Sequence, residues 1–472
     1  MAKLEGPLPG DPFLPTSTAG LDAAGYVLEE FFLSGTASAY VLRGERGEDG
    51  RWEAERAQRA GFKTRLVVMR PREAARFGGT VLVEWMNVSG GVDANPDWLF
   101  LHRHLMRAGA AWIGVSAQQV GIDGGGMVPG MPLKKANAAR YGALEHPGDA
   151  FAYDIYTEVG RLLRARAPGL LGPLGPRCAI AIGESQSAGF LVTYVNAIDP
   201  LEACYDGFLI HGRGGSAANV EGGYLPRGGE PASASMFNRV GHRIRPDVRV
   251  PVLTFQSETD VTALGGGRAR QPDSERIRLW EVAGAAHFDT YGLIASRVDC
   301  EGVSTEELAR NLAPTSTPMG MQSSQPVNSG PQQHYVLNVA FAALERWVLG
   351  GAQPPEAARL STSDAAGSVL LRDELGIARG GIRTPWVDVP SAVLSGEPAA
   401  GGAGFTFLFG RTSPLDPAVL ARLYPGGPDE HVRRFEAATA QAVAAGFLLE
   451  ADAAEICALA RHGRQPSGWR TE

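Results

Sequence analysis

Residues 177–189 read Arg-Cys-Ala-Ile-Ala-Ile-Gly-Glu-Ser-Gln-Ser-Ala-Gly. Cys178 to Ile182 form a short, continuous apolar run, and Gly183 ends it. Ser185 follows two residues later. Phe190, Leu191, Val192 and Tyr194 then fall at a spacing that suits a helix. The pattern predicts a buried strand, a sharp turn and a helix, with a serine at the apex. A turn of this kind lifts a hydroxyl clear of the backbone. It demands small residues on both sides, because strand and helix nearly touch there. Gly183 fills the first position and Ser187 the second, so the motif is G-x-S-x-S. Ala188 and Gly189 lie behind it.

Working outward, alternating strand and helix patterns surround this turn. Tyr26–Tyr40 and Phe62–Met69 read as a strand pair, and Thr80–Trp85 as a third strand. Asn95, Pro96 and Asp97 announce a helix with a capping side chain and proline in its first turn. Gly109 closes that helix, and Ala111–Val115 is the next strand. Asp154–Ala165 is an amphipathic helix. Beyond the serine, strands are expected at Gly207–Ile210, Val250–Phe255 and Arg276–Val282. Helices are expected at Ser304–Leu312 and His334–Leu349. This order predicts an α/β fold: a mostly parallel central sheet with helices on both faces. Two stretches, about 212–249 and 288–330, read as lid or insert segments of a catalytic domain spanning 1–355. The tail, 356–472, is Pro-rich and then helical over about 429–447 and 451–462. It reads as an extension packed on that domain.

Composition narrows the class. The chain has 472 residues, 44% hydrophobic and 20% charged, with a net charge of −7. Such a balance gives no reason to expect nucleic acid or an anionic membrane as partner. No run of 18 apolar residues occurs, and Met1–Gly10 lacks the pattern of a secretory signal, so a cytoplasmic location is expected. Cys178, Cys204, Cys300 and Cys457 are scattered without zinc-ligand or redox spacing. No His/Asp/Glu cluster has metal-ligand spacing. The glycine run Gly124–Gly126 lacks the Lys-Ser or Lys-Thr of a phosphate loop. No metal and no cofactor are expected. The oligomeric state is beyond the sequence.

A serine hydroxyl needs a base, and a histidine base needs a carboxylate to fix its tautomer. Of nine histidines, His287 alone sits in a short loop directly after a late strand, behind the small residues Ala283–Ala286. His102 and His104 fall on a helix and are expected to be partly solvated. His334 starts a helix and reads as structural. The acid should follow the preceding strand, where the loop reads Ser257-Glu258-Thr259-Asp260. Asp260, farther into the loop, is preferred, with Glu258 as the alternative. The order serine, acid, histidine is that of α/β-hydrolases. An oxyanion needs two donors. Gln186 would supply one backbone N–H, and Asn87 or Val88, after the third strand, the other. His211 ends a strand at the same sheet edge and could line a pocket. Arg213, two residues on, could bind a substrate carboxylate.

With these loops in order, the chain resembles the α/β-hydrolase superfamily. More narrowly it resembles the large bacterial alpha/beta hydrolase domain proteins. The matching segments are Gly183–Ala188, Trp85–Gly90, Tyr141–Asp149, Ser257–Asp260, Ala283–His287 and Gly330–Tyr335. The resemblance covers most of the chain and implies a serine esterase or related hydrolase acting on a small-molecule ester. Ser187 departs from the usual glycine but remains small. The expectation is ester hydrolysis through an acyl-enzyme on Ser185, His287 and Asp260. An acyltransferase or amidase would use the same triad. A non-catalytic binding protein of the same fold is the alternative from another class.

Overall fold

The structure is a computed structural model. It describes residues 2–462 except 17, 19, 127, 225–239 and 400–403. A nine-stranded sheet runs in the order β1-β2-β3-β5-β4-β6-β7-β8-β9. Its strands are β1 Lys3–Glu5, β2 Tyr26–Arg43, β3 Glu53–Pro71, β4 Thr80–Trp85, β5 Ala111–Val115, β6 Cys178–Glu184, β7 Gly207–His211, β8 Val252–Ser257 and β9 Ile277–Val282. Strands β1, β2 and β3 pair antiparallel, and β3 joins β5 the same way. From β5 through β4 and β6 to β7 the pairing is parallel. The helices used below are α1 Pro96–Ala108, α2 Ala152–Arg164, α3 Gln186–Thr193, α4 Thr305–Asn311, α5 Gln332–Val348, α6 Gly427–Ala444 and α7 Glu450–His462. A separate pair, β10 Ala392–Ser395 and β11 Arg411–Pro414, runs antiparallel.

The central strands are buried on both sides, which is why they read as apolar runs rather than alternating ones. Val81, Val83 and Trp85 of β4 enter the main core with Ile155, Tyr156 and Val159 of α2. The Trp85 ring lies 4.8 Å from Tyr156 and 5.1 Å from Phe190. Alternate residues point the other way. There Glu84 meets α1: its carboxylate accepts the N–H groups of Asp97 and Trp98, both at 3.0 Å. This corrects the expected cap. Asn95 makes no side-chain capping bond, and Glu84 on the neighbouring strand satisfies the first turn instead. Gly109 closes α1 in the left-handed region, φ 67°, as the sequence predicts.

The chain forms two compact units. The first comprises 1–254, 268–278 and 344–352; the second comprises 255–267, 279–343 and 353–472. These units cut the chain differently from a division at 355: the C-terminal extension belongs with the loops after β8 and β9. The two insert segments differ. Residues 225–239 of the first lie outside the described residues. The second, 288–330, is built of short helical turns and α4. Among the described residues, no helix is long and apolar enough to cross a membrane.

Candidate active site

In the first unit, Ser185 occupies the turn between β6 and α3. Its backbone lies at φ 59°, ψ −114°, a region that non-glycine residues rarely enter. Such conformations cost on the order of 1–3 kcal/mol and persist only where the surroundings enforce them. Here β6 and α3 do so. The Ser185 N–H donates to the His211 carbonyl of the adjoining strand at 2.9 Å. A Cβ on Gly183 would stand 3.0 Å from the Ser187 Cβ. A side chain at 183 would press on Ser187, so glycine there leaves room for the serine at 187. A Cβ on Gly189 would meet the Tyr224 ring at 2.4 Å.

The donors around the turn can be sorted by what they already bind. Gln186 is the first residue of α3, so its N–H has no partner within the helix. The Asn87 N–H is committed to the Ala94 carbonyl at 2.8 Å, and Ala94 returns the bond. The Val88 N–H faces the Gln186 side-chain oxygen at a long 3.4 Å. The Asn87 amide donates to the Glu184 carbonyl and carboxylate, tying the Asn87 loop to the strand end.

Behind Gln186 stands a relay that sequence reasoning did not assign. Gln118 accepts from the Gln186 amide at 2.6 Å and from the Trp85 indole at 3.1 Å. Its own amide donates to Asp149. Asp149 closes the Tyr141–Asp149 segment that carries part of the family resemblance, which gives that segment a physical role. The signal was present in the quoted motif, but nothing in the sequence pointed to Gln118.

His211 and Arg213 are both buried. His211 Nδ1 lies 2.8 Å from an Asp97 oxygen, and its ring sits edge-on to Phe100. Burial pushes the Asp97 carboxyl well above its usual range, and burial together with Asp97 does the same to Glu84. The Arg213 guanidinium donates to the carbonyls of Gly214, Gly215 and His242. It braces its own loop. His102 and His104, expected to be partly solvated, are buried as well.

In the second unit, β8 runs into a one-turn helix at Glu258–Val261 with a full capping box. Asp260 Oδ2 accepts the Ser257 N–H at 2.6 Å and its hydroxyl at 2.8 Å. That fixes the carboxylate and turns Oδ1 to His287, whose Nδ1 lies 2.5 Å away. With Nδ1 on the carboxylate, Nε2 is the basic nitrogen of the imidazole. The His287 backbone is held too: its N–H meets the Thr259 hydroxyl at 3.2 Å, and its carbonyl accepts from Gln333 at 3.2 Å.

Glu258, the alternative acid, points elsewhere. Its carboxylate accepts the N–H of Gly284 at 2.7 Å and of Gly396 at 3.0 Å. The Ser395 hydroxyl and Arg372 complete its shell. Burial pushes its pKa up, and Arg372 pulls it back. Glu258 thus ties the histidine loop to the C-terminal extension. Asn328 reinforces the tie by donating to the Gly284 and Ser395 carbonyls. His334, read as structural, stacks on Tyr291 at 4.0 Å.

A mostly parallel sheet with a serine at a strained strand-to-helix turn defines an α/β-hydrolase fold. The profile of the family described as "Alpha/beta hydrolase domain" matches residues 4–458. The chain belongs to that family. Among solved structures it is similar to an alpha-beta serine hydrolase homologue from Coxiella burnetii, at 13% identity over 48% of this chain and 84% of the other, with a TM-score of 0.28. It is also similar to fungal esterases from Rhizomucor miehei, at 13% identity over 57% and 80%, TM-score 0.27. A glucuronoyl esterase from Solibacter usitatus aligns at 10% identity over 59% and 83%, TM-score 0.28. No curated protein matches the chain.

Proposed function

We propose that the protein is a serine hydrolase that cleaves a carboxylic ester through an acyl-enzyme. In this reading Ser185 attacks the carbonyl carbon and His287 Nε2 takes its proton. Asp260 holds His287 in the required tautomer and stabilises the imidazolium. The N–H groups of Gln186 and Val88 receive the oxyanion. Of the two alternatives for the second donor, Asn87 is set aside because its N–H is spent on Ala94. The imidazolium then protonates the leaving alcohol, and water repeats the sequence to release the acid.

One observation carries the reading: Ser185 is held at φ 59° between a buried strand and a helix. A serine without chemistry would not need that conformation, and backbone strain of this kind collects at reacting groups. The capped Asp260–His287 pair supports it. The test is covalent. A fluorophosphonate should label the protein once, on the peptide containing Ser185, and Ser185→Ala should lose labelling and p-nitrophenyl ester turnover together. Full ester activity in Ser185→Ala would overturn the reading.

A further inference from the structure

The second unit holds a cavity of about 840 Å³ that includes neither Asp260 nor His287 in its lining. Its volume falls within the roughly 300–1,000 Å³ of small-molecule sites. The walls are apolar: Leu394 on β10, Trp386, Phe435 on α6 and Leu459 on α7 all face it. Leu394, Phe435 and Leu459 are buried. Trp386 is held in place, stacked on Tyr335 at 5.7 Å and edge-on to Phe435 at 5.4 Å. The rim is different. Arg310 and His462 line it, with Glu306 one turn before Arg310 on α4. The Arg310 side chain makes no hydrogen bond or ion pair with any described residue.

We propose that this cavity binds an apolar monocarboxylic acid, with its chain or ring against Trp386 and Leu394 and its carboxylate on Arg310. An apolar wall alone would accept any greasy molecule. A guanidinium at the mouth selects a carboxylate, which it can clamp with two parallel N–H bonds. Glu306 limits the charge: a dianion meets repulsion that a monoanion does not. The inner wall also joins the support of the histidine loop. Gly330 lines the cavity, and its N–H donates to the Asn328 side chain, which bonds Gly284 and Ser395.

The test uses decanoate as probe and the Ser185→Ala full-length protein, so that binding is read without turnover and independently of the proposed triad. Isothermal titration should give a single site for decanoate. Decanol, which lacks the charge, should bind about tenfold more weakly. Arg310→Ala should weaken decanoate about tenfold, and Arg310→Lys should recover most of the loss. Ala392→Trp, which fills the cavity from β10, should abolish the site while circular dichroism stays unchanged. Equal affinities for decanol and decanoate, or a dissociation constant unmoved by both Arg310→Ala and Ala392→Trp, would overturn the proposal.

Discussion

Asp260 and Glu258 lie two residues apart in one helical turn, yet their surroundings assign them different work. Asp260 spends one oxygen on Ser257 and offers the other to His287. Glu258 is enclosed by two backbone N–H groups, a hydroxyl and Arg372. The two are separable by substitution. Asp260→Asn should lower kcat by on the order of 10⁴, because the amide favours the wrong imidazole tautomer, with little change in melting temperature. Glu258→Gln leaves Arg372 facing a neutral, buried amide. With Glu397 still 3.0 Å from Arg372, it should cost about 1–2 kcal/mol of stability in urea unfolding and reduce kcat far less. A catalytic collapse in Glu258→Gln with Asp260→Asn still active would reverse the assignment.

At the scale of the element, the serine turn is set by contacts between a strand and a helix. Gly183→Ala introduces a Cβ 3.0 Å from Ser187. The neighbouring helix must then move, and a shift of a few tenths of an ångström at a reacting hydroxyl is costly. The rate of fluorophosphonate labelling should fall at least about tenfold. Ser187→Gly removes atoms from the same contact and should label at close to the native rate. Equal rates for both variants would show that the turn tolerates bulk. The Gln118 relay belongs here as well. Gln118→Leu leaves the Gln186 amide without its acceptor, and kcat should drop while KM holds.

At the scale of the whole molecule, pH and chain length are the informative variables. His242 is buried, and desolvation with Arg46 and Arg213 nearby pushes its pKa down to about 3. It is neutral when folded, and Nδ1 accepts the Ala217 N–H. The unfolded chain takes up this proton below about pH 6.5. Between that point and about pH 3 the unfolded state binds more protons, so stability rises with pH in this window. His242→Gln should flatten urea-unfolding free energy between pH 6.5 and 4 by up to about 1.4 kcal/mol per pH unit. An unchanged slope would count against a neutral His242. Ending the chain at 355 removes Arg372, Ser395 and Gly396 together and strands a buried Glu258. That truncated chain should be proteolysed rapidly, because the histidine loop loses its brace.

The sequence by itself determined the succession of strands and helices on either side of the serine, the turn at Ser185 and the histidine after β9. Each rests on local physics: apolar runs long enough to be central strands, small residues where backbones meet, and a loop placed directly after a strand. It also brought the carboxylate partner of His287 to within one short helix. The tertiary structure decided what depends on neighbours distant in sequence. Glu84, 13 residues before Asp97, caps α1 in place of Asn95. Ala94 takes the Asn87 N–H, while the Val88 N–H faces the Gln186 side-chain oxygen at 3.4 Å. Arg213, a candidate carboxylate contact in the sequence, is buried on carbonyls that include one 29 residues away. The C-terminal extension, whose sequence shows turns and helices but no site motif, reaches back 138 residues from Gly396 to Glu258. Periodicity records which face of an element is buried. It does not record which polar partner waits there, because hydrogen bonds are satisfied by whatever the fold brings within reach.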